Sequence, residues 1–106
     1  MAIGRALVST GIALVIPRGC VGKIGSRSGL SVDRNIEVGA GWIDPDYRGE
    51  IKVELKNFDS REFVIEAHMR IAQLFVLRLA NVKLEHASRL PISGRGARGF
   101  GSTGLK

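Results

Sequence analysis

The sequence predicts an all-β fold, a jelly-roll-like barrel or sandwich of short strands, for three reasons. Short apolar segments are separated by turn signals along the chain, and the clearest of them alternates strictly between apolar and charged residues. The 14 glycines lie in clusters without a fixed period, which is typical of strands joined by tight turns. Because the chain has the size of one small domain, residues 1–106 are expected to form a single unit.

The N-terminal half is expected to contribute four strands. Gly11 separates two apolar segments, and a proline–glycine turn at residues 17–19 precedes the next. Residues 25–30, GSRSGL, carry a loop signal. The predicted strands are residues 6–10, 12–16, 21–24 and 36–38.

The second half begins with a predicted hairpin connection at residues 44–49. In the strand that follows, Ile51, Val53 and Leu55 lie on one face and charged residues on the other. The predicted strands are residues 50–56, 63–65 and 71–77. The last of these is also compatible with a short helix, but its brevity and its β-rich neighbours favour a strand buried on both faces. Residues 94–106 are expected to form an extended, flexible, glycine-rich C-terminal arm.

The charge of the chain is unevenly distributed. Sixteen basic and ten acidic residues give a formal charge of +6, and the segment from Arg89 to Lys106 contains no acidic residue. A basic, glycine-rich segment favours an anionic partner, either a phosphate ligand or a nucleic acid, or else it is a solvated tail.

Cysteine content and hydropathy argue against several classes of protein. Cys20 is the one cysteine, and His68 and His86 are isolated, so neither an intrachain disulfide nor a zinc cluster is expected. The longest apolar run, residues 71–80, is too short to span a bilayer, and residues 1–5 lack the hydrophobic core of a signal peptide. We therefore expect an intracellular protein, cytoplasmic or, in a eukaryote, also nuclear, without a membrane partner.

Two segments in the first half of the chain combine glycine with residues that can hold a phosphate or a nucleoside. In GSRSGL an arginine fork and serine hydroxyls can donate to phosphate oxygens, although such loops are common. In GAGWIDPDYRGE at residues 39–50, two carboxylates and a tyrosine can orient a water and line a sugar. The alternative is two turn-forming aspartates and a core aromatic.

Two further segments lie in the second half. In RIAQL at residues 70–74, the amide of Gln73 interrupts an apolar segment and must find partners, either backbone groups or a ligand. In RGARGFGSTG at residues 95–104, Phe100 lies between glycines and can close over a base while Arg, Ser and Thr hold phosphates. The alternative is a disordered tail that binds RNA without specificity.

In this order and spacing, the four segments resemble those of the trimeric dUTPases (deoxyuridine triphosphate nucleotidohydrolases), which have the forms RSGLA, GVID-x-DY-x-GE, RIAQL and RG-x-GGFGSTG. The resemblance spans residues 25–104, and residues 8–22 are similar to the family's upstream strands. It implies a homotrimer with shared active sites that hydrolyses dUTP to dUMP and pyrophosphate. This reaction keeps uracil out of DNA and supplies dUMP for thymidylate synthesis. Nucleic acid is not expected as a partner.

The resemblance also implies roles for individual residues. Asp44 is the implied catalytic carboxylate, which orients and activates the water that attacks the α-phosphorus, while Asp46 shapes the turn. Tyr47 would pack against the deoxyribose and exclude a ribose 2′-hydroxyl. The implied substrate-binding residues are Arg27, Ser28, Gly29, Gly41, Ile43, Asp44, Tyr47, Lys52, Gln73, Arg95, Phe100, Gly101, Ser102 and Thr103.

These residues divide by ligand group. Arg27, Ser28 and Gly29 would bind the phosphate chain, and Gln73 would bind a phosphate or the catalytic water. The backbone around Gly41, Ile43 and Lys52 would bind the uracil edge. On the arm, Phe100 would stack on uracil, and the other arm residues would close on the outer phosphates. Mg²⁺ would be held mainly through the triphosphate, with no side chain as a direct ligand.

The sequence departs from the family pattern in three ways. The family's AGxDL segment, whose aspartate helps to hold magnesium through water, is not found, and Met1 stands roughly where the next strand is expected. Trp42 replaces a small apolar residue. Residues 67–69, AHM, stand where the family usually has a Lys-Gly-Asp turn, and Arg98 replaces a glycine of the arm. The first departure leaves a second reading, a catalytically weakened nucleotide-binding or regulatory protein. The dCTP deaminase branch is disfavoured by the Asp-x-Asp-Tyr segment and the GFGSTG arm.

Overall fold

The computed structural model describes residues 4–99, which contain six strands and one short helix and are therefore all-β in class, as the sequence predicts. The strands are β1 (Gly4–Ser9), β2 (Cys20–Gly25), β3 (Ile36–Gly39), β4 (Trp42–Ile43), β5 (Lys52–Asn57) and β6 (Gln73–Arg78), and the helix is α1 (Ser28–Arg34). No helix in this part of the chain is long and apolar enough to cross a membrane.

The strands form two antiparallel three-stranded sheets. In the first, β5 lies between β1 and β3, and in the second, β2 lies between β4 and β6. The core draws on both sheets, so the architecture is an open sandwich, and the described residues do not close into a barrel. The buried apolar residues are Ile16, Val21, Ile24, Ile36, Ile43, Ile51, Val53 and Leu55.

The alternating pattern of β5 is confirmed. Ile51, Val53 and Leu55 are all buried, while Lys52 is exposed, because successive side chains of a strand point to opposite faces. This strand supplies the centre of the first sheet and one wall of the core.

Two predicted strands are wrong. Residues 12–16 follow β1 and begin beside β5, where the N–H of Ile51 donates to the carbonyl of Ile12 at 2.8 Å, but they do not continue the ladder. Residues 63–65 are also irregular. Leu14, Ile16, Phe63 and Ile65 pack on the core all the same, so their apolar character reflects burial rather than strand pairing.

The predicted hairpin connection at residues 44–49 is also wrong. β4 pairs with β2 and β5 pairs with β1 and β3, so this segment crosses from one sheet to the other. It does contain a turn, in which the N–H of Tyr47 donates to the carbonyl of Asp44 at 3.1 Å.

The predicted loop at residues 25–30 gives way to a helix at Ser28. The helix ends at Asn35, whose left-handed conformation (φ 54°) lets its N–H reach the carbonyls of Leu30 and Ser31. Asparagine tolerates this conformation better than most residues, and a basic residue in the last turn, here Arg34, suits the helix C-terminus.

β6 is a strand, as predicted, but its predicted burial on both faces is wrong for the single chain. All six of its residues are exposed, and Leu74, Phe75, Val76 and Leu77 are 43–51% exposed. Residues 79–99 are exposed too, including Leu84 and Ile92, and form neither helix nor strand.

Candidate functional site

A basic cleft joins two segments that are far apart in the sequence. Its volume is about 540 Å³, and three of its lining side chains are arginines. We call it the arginine cleft; it is lined by Arg27, Ser28, Gly29, Leu30, Asp33, Arg34, Arg70 and Gln73. Four predicted phosphate-binding residues, Arg27, Ser28, Gly29 and Gln73, therefore lie together.

A direct hydrogen bond holds the two walls of the arginine cleft together. The amide Nε2 of Gln73 donates to the carbonyl of Ser26 at 2.9 Å, and Gln73 pairs with Gly25 in the ladder between β2 and β6. The sequence left open whether this amide would meet backbone or ligand, and it meets a backbone group. The residue is exposed rather than buried and lines the cleft.

Four cleft residues were not among the predicted site residues. Leu30 and Arg70 lie in the predicted segments, whereas Asp33 and Arg34 were missed because the helix was not recognised. They follow Leu30 at the i+3 and i+4 positions, so the helix brings all three to one face. An asparagine C-cap preceded by arginine was the signal that could have revealed the helix. One guanidinium NH2 of Arg34 donates to the carbonyl of Glu62 at 3.2 Å, and the group lies 5.2 Å from the ring centroid of Phe63.

A second cavity of about 250 Å³ lies beside β4. We call it the Asp44 pocket; it is lined by Ile24, Ala40, Gly41, Trp42, Ile43, Asp44, Tyr47, Glu50, Ile51 and Lys52. Five of the residues that the resemblance linked to the nucleoside or to water activation, Gly41, Ile43, Asp44, Tyr47 and Lys52, are in this set. The structure therefore brings these five residues to one cavity.

The backbone at the mouth of the Asp44 pocket is unusual. Ala40 and Gly41 have positive φ values of 49° and 103°, and the carbonyl of Gly41 accepts the N–H of Ile24 at 2.8 Å. A Cβ on Gly41 would lie 2.7 Å from the carbonyl oxygen of Ile24, so only glycine fits. On the opposite side, the hydroxyl of Tyr47 donates to the carbonyl of Glu50 at 2.7 Å, which fixes its ring.

Trp42, a departure from the family pattern, is 63% exposed beside this pocket. The Nζ of Lys23 lies 4.6 Å from its ring centroid and donates to the carbonyl of Ala40 at 3.2 Å. A cation over an indole face is attracted by the ring's quadrupole. Lys23 thus contacts both the backbone of Ala40 and the indole ring of Trp42.

The arginine cleft and the Asp44 pocket share no lining residue. β2 separates them, because β4 borders the pocket on one edge of β2 while Gln73 on β6 borders the cleft on the other. In the single chain the two groups of predicted site residues line different cavities. A third cavity, of about 610 Å³, shares Arg27 and Gln73 with the cleft and Ile24 and Ile51 with the pocket.

The arm is described only in part. Residues 94–99 form a local turn, not an extended segment: the guanidinium of Arg95 donates to the carbonyls of Arg98 and Gly99, and that of Arg98 to those of Gly94 and Arg95. Phe100, Gly101, Ser102 and Thr103 lie outside the described residues.

The fold, the basic cleft and the carboxylate pocket together define an all-β protein suited to a phosphate-bearing ligand. A family model described as dUTPase matches residues 2–104. The chain therefore belongs to the dUTPase family.

Two curated relatives illustrate the match. The chain is 48% identical to the deoxyuridine 5'-triphosphate nucleotidohydrolase of fowl adenovirus A serotype 1 over 102 residues, which cover 96% of this chain and 57% of that protein. It is 46% identical to the mouse (Mus musculus) enzyme of the same name over 100 residues, which cover 94% of this chain and 62% of that protein. The chain thus spans less than two thirds of the length of these relatives.

The fold is also found in solved structures. The dUTPase of Staphylococcus bacteriophage 80alpha, with dUpNHpp, superposes with a TM-score of 0.80 at 27% identity, covering 97% of this chain and 78% of the phage chain. That protein is described as controlling the transfer of virulence genes by a proto-oncogenic G protein-like mechanism. A native dUTPase of EIAV superposes with a TM-score of 0.76 at 20% identity, which is a likeness of fold.

Proposed function

We propose that this protein hydrolyses dUTP to dUMP and pyrophosphate. The observation that carries the proposal is the arginine cleft, where the GSRSGL and RIAQL segments meet through the bond between Gln73 and Ser26. Arginine forks and backbone N–H groups are suited to phosphate oxygens. Family membership and the carboxylate of the Asp44 pocket support the specific reaction.

The arginine cleft binds the phosphate chain in this account. Arg27 supplies charge-assisted bonds, Ser28 and Gly29 offer N–H groups, and Gln73 binds a phosphate oxygen or the catalytic water. Arg34 and Arg70 add positive charge to the same walls. Phosphoryl transfer depends mainly on positioning and on stabilising negative charge, which is what such a cleft provides.

The Asp44 pocket binds the nucleoside and activates water. Asp44 accepts a proton from the water that attacks the α-phosphorus, and Tyr47 packs on the deoxyribose. The backbone near Gly41, Ile43 and Lys52 pairs with the uracil edge. Cytosine presents the reversed donor and acceptor pattern and is rejected because buried polar groups would be left unpaired.

Magnesium is held mainly by the triphosphate. The one carboxylate that lines the arginine cleft is Asp33, among three arginines, and residues 4–99 contain no group of three His, Cys, Asp or Glu side chains that could hold a metal ion. This donor set fits a hard cation that arrives with its own phosphate oxygens and waters. When bound, Mg²⁺ neutralises charge on the triphosphate.

The arm closes the site and the subunits share it. Arg95 and residues 101–103 bind the outer phosphates, and Phe100 stacks on uracil. The exposed apolar residues of β6 support a homotrimer in which neighbouring copies cover them. The trimer brings the arginine cleft of one subunit to the Asp44 pocket of another. The protein acts inside the cell, where it keeps uracil out of DNA and supplies dUMP.

The second candidate is a nucleotide-binding regulator with weak turnover. The phage 80alpha dUTPase is described as controlling the transfer of virulence genes. This description supports a regulatory role as the alternative. Both candidates bind dUTP, so binding alone does not separate them.

Pyrophosphate release from dUTP, UTP, dCTP and dTTP with Mg²⁺ tests the proposal. We expect release from dUTP alone, and Asp44→Asn should lower turnover by at least ~100-fold while dUTP binding persists, because it removes the base that orients the water. Asp46→Asn, in the same turn, is the matched control and should retain turnover. Binding of dUTP without turnover in the wild type would favour the regulator, and equal turnover in Asp44→Asn would refute the catalytic assignment.

A further inference from the structure

Glu37, the second residue of β3, links both ends of the segment that lines the arginine cleft. Its carboxylate Oε2 accepts the hydroxyl of Ser26 at 2.8 Å, and its Oε1 accepts the hydroxyl of Ser31. Ser26 precedes Arg27, Ser28 and Gly29, and Ser31 follows them inside α1. One carboxylate thus fixes the two sides of the phosphate-binding segment.

Ser26 extends this link into three elements. Its hydroxyl oxygen also accepts the N–H of Val38 at 2.9 Å, and its carbonyl accepts the amide of Gln73 at 2.9 Å. Through this residue, β3 is connected to the cleft segment and the cleft segment to β6. A displacement of Ser26 would therefore move both walls of the arginine cleft.

The start of α1 lacks another side-chain anchor. Arg27 is the N-cap residue and makes no side-chain capping bond. Glu37 does not line the cleft, so it acts on the ligand-binding groups through the two serines. The hydrogen bonds from Ser31 and Ser26 lower the pKa of Glu37, as expected for hydroxyls that donate to an ionised carboxylate.

We propose that Glu37 is a positioning residue for polyphosphate binding: by accepting hydrogen bonds from Ser26 and Ser31, it holds residues 27–29 in the geometry that binds the phosphate chain. The inference rests on the proposed function in that the ligand of the cleft is a polyphosphate. Preorganised donors bind an anion better than donors that must be ordered on binding.

The test measures ligand affinity separately from turnover. Binding of inorganic tripolyphosphate with Mg²⁺ is measured by calorimetry, and KM and kcat are measured with dUTP. Glu37→Ala should weaken tripolyphosphate binding and raise KM about tenfold with a smaller change in kcat, since it removes a charged acceptor of two hydrogen bonds. Glu37→Gln retains one acceptor oxygen and should lose about threefold. The control Glu54→Gln, on the neighbouring strand opposite Gly39, should match the wild type.

Coupling to Ser26 separates positioning from general stability. If Glu37 acts through Ser26, adding Glu37→Ala to Ser26→Ala should cause much less further loss of affinity than Glu37→Ala alone. Fully additive losses, or a Glu37→Ala protein with the affinity and KM of Glu54→Gln, would overturn the proposal. If Glu37→Ala does not fold, Ser31→Ala and Glu37→Gln decide the question by the same criterion.

Measurements on the wild-type chain separate a failure of the proposed function from a failure of the positioning role of Glu37. A wild-type chain that binds tripolyphosphate but does not hydrolyse dUTP overturns the proposed function, and the affinities of the Glu37 variants still decide the positioning role. A wild-type chain that binds no tripolyphosphate overturns both.

Discussion

Gly41 has a backbone conformation that only glycine adopts without strain, and its carbonyl holds β2 beside the Asp44 pocket. Gly41→Ala would bring a Cβ to 2.7 Å from the carbonyl oxygen of Ile24. We expect it to lower the free energy of unfolding by roughly 2 kcal/mol or more, because the strain at φ 103° adds to this clash.

The control for Gly41→Ala is Ala40→Gly at the preceding residue, whose φ is also positive. Ala40→Gly relieves strain and should change stability little. Urea unfolding of both variants checks the prediction, and a Gly41→Ala protein as stable as the wild type would contradict the described turn.

Asp59 provides a pH-dependent contribution to stability. Hydrogen bonds from the side chain and then the backbone of Arg61 lower its pKa from 3.8 to about 2, and Arg61 also donates to the carbonyl of Asp33 at 3.0 Å. Because the folded-state pKa is lowered, the stabilisation is complete above the unfolded value and is lost as the pH falls through about 2.

Asp59→Asn should therefore be less stable than the wild type at pH 6, and the difference should shrink as the pH falls from about 5 to 2. Urea midpoints of both proteins at several pH values measure this difference. The lowered pKa of Glu37 is common to both proteins, so its contribution cancels in the difference. A difference that stays constant with pH would contradict the role given to the carboxylate.

At the scale of single residues, the sequence predicted which residues lie together better than it predicted their backbone conformations. Arg27, Gly29 and Gln73 were grouped through the resemblance to the dUTPase family, and they do line one cleft. Residues with strained backbone conformations were harder to predict. His68 has a φ of 65° where the family has a glycine, and its side chain does not indicate that conformation. Backbone strain depends on the neighbouring elements, which a motif does not encode.

At the scale of elements, periodicity predicted β5 because one face of that strand is buried. It failed at residues 12–16 and 63–65, which are apolar because they cover the core without joining a ladder. β6 was predicted correctly as a strand, but its predicted burial was wrong, because its apolar residues are exposed in the single chain. A pattern of apolar residues indicates that their side chains are buried in the assembled protein. It does not indicate whether they pack against their own chain or against a neighbouring copy.

The arm is the element whose role is most open to direct test. Ordering an arm with glycines at positions 94, 96, 99, 101 and 104 costs conformational entropy, so specific contacts must offset it. Stacking on a nucleobase contributes about 1–3 kcal/mol. Phe100→Ala should therefore weaken binding of a dUTP analogue by roughly tenfold, whereas Lys106→Ala should change it little.

Both arm variants are measured by calorimetry at one salt concentration. Equal losses in Phe100→Ala and Lys106→Ala would indicate a generic basic tail and would exclude stacking. A loss confined to Phe100→Ala agrees with the proposed closure.

At the scale of the whole molecule, the separation of the arginine cleft from the Asp44 pocket is the central feature. The two sites share no residue and lie on opposite edges of β2. β6 meanwhile presents a row of apolar side chains that a neighbouring copy would cover. Both observations are accounted for if the working unit is a trimer in which one site is assembled from different subunits.

Mixing two inactive variants tests this claim most directly. Asp44→Asn damages the pocket and Arg27→Ala the cleft, so every chain carries one defect, and the two are refolded together in equal amounts before dUTP turnover is measured. If sites form between subunits, about one quarter of them combine an intact pocket with an intact cleft in a random mixture of copies. We therefore predict recovery of up to about a quarter of wild-type turnover. Turnover no higher than the mean of the two separate variants would contradict a shared site.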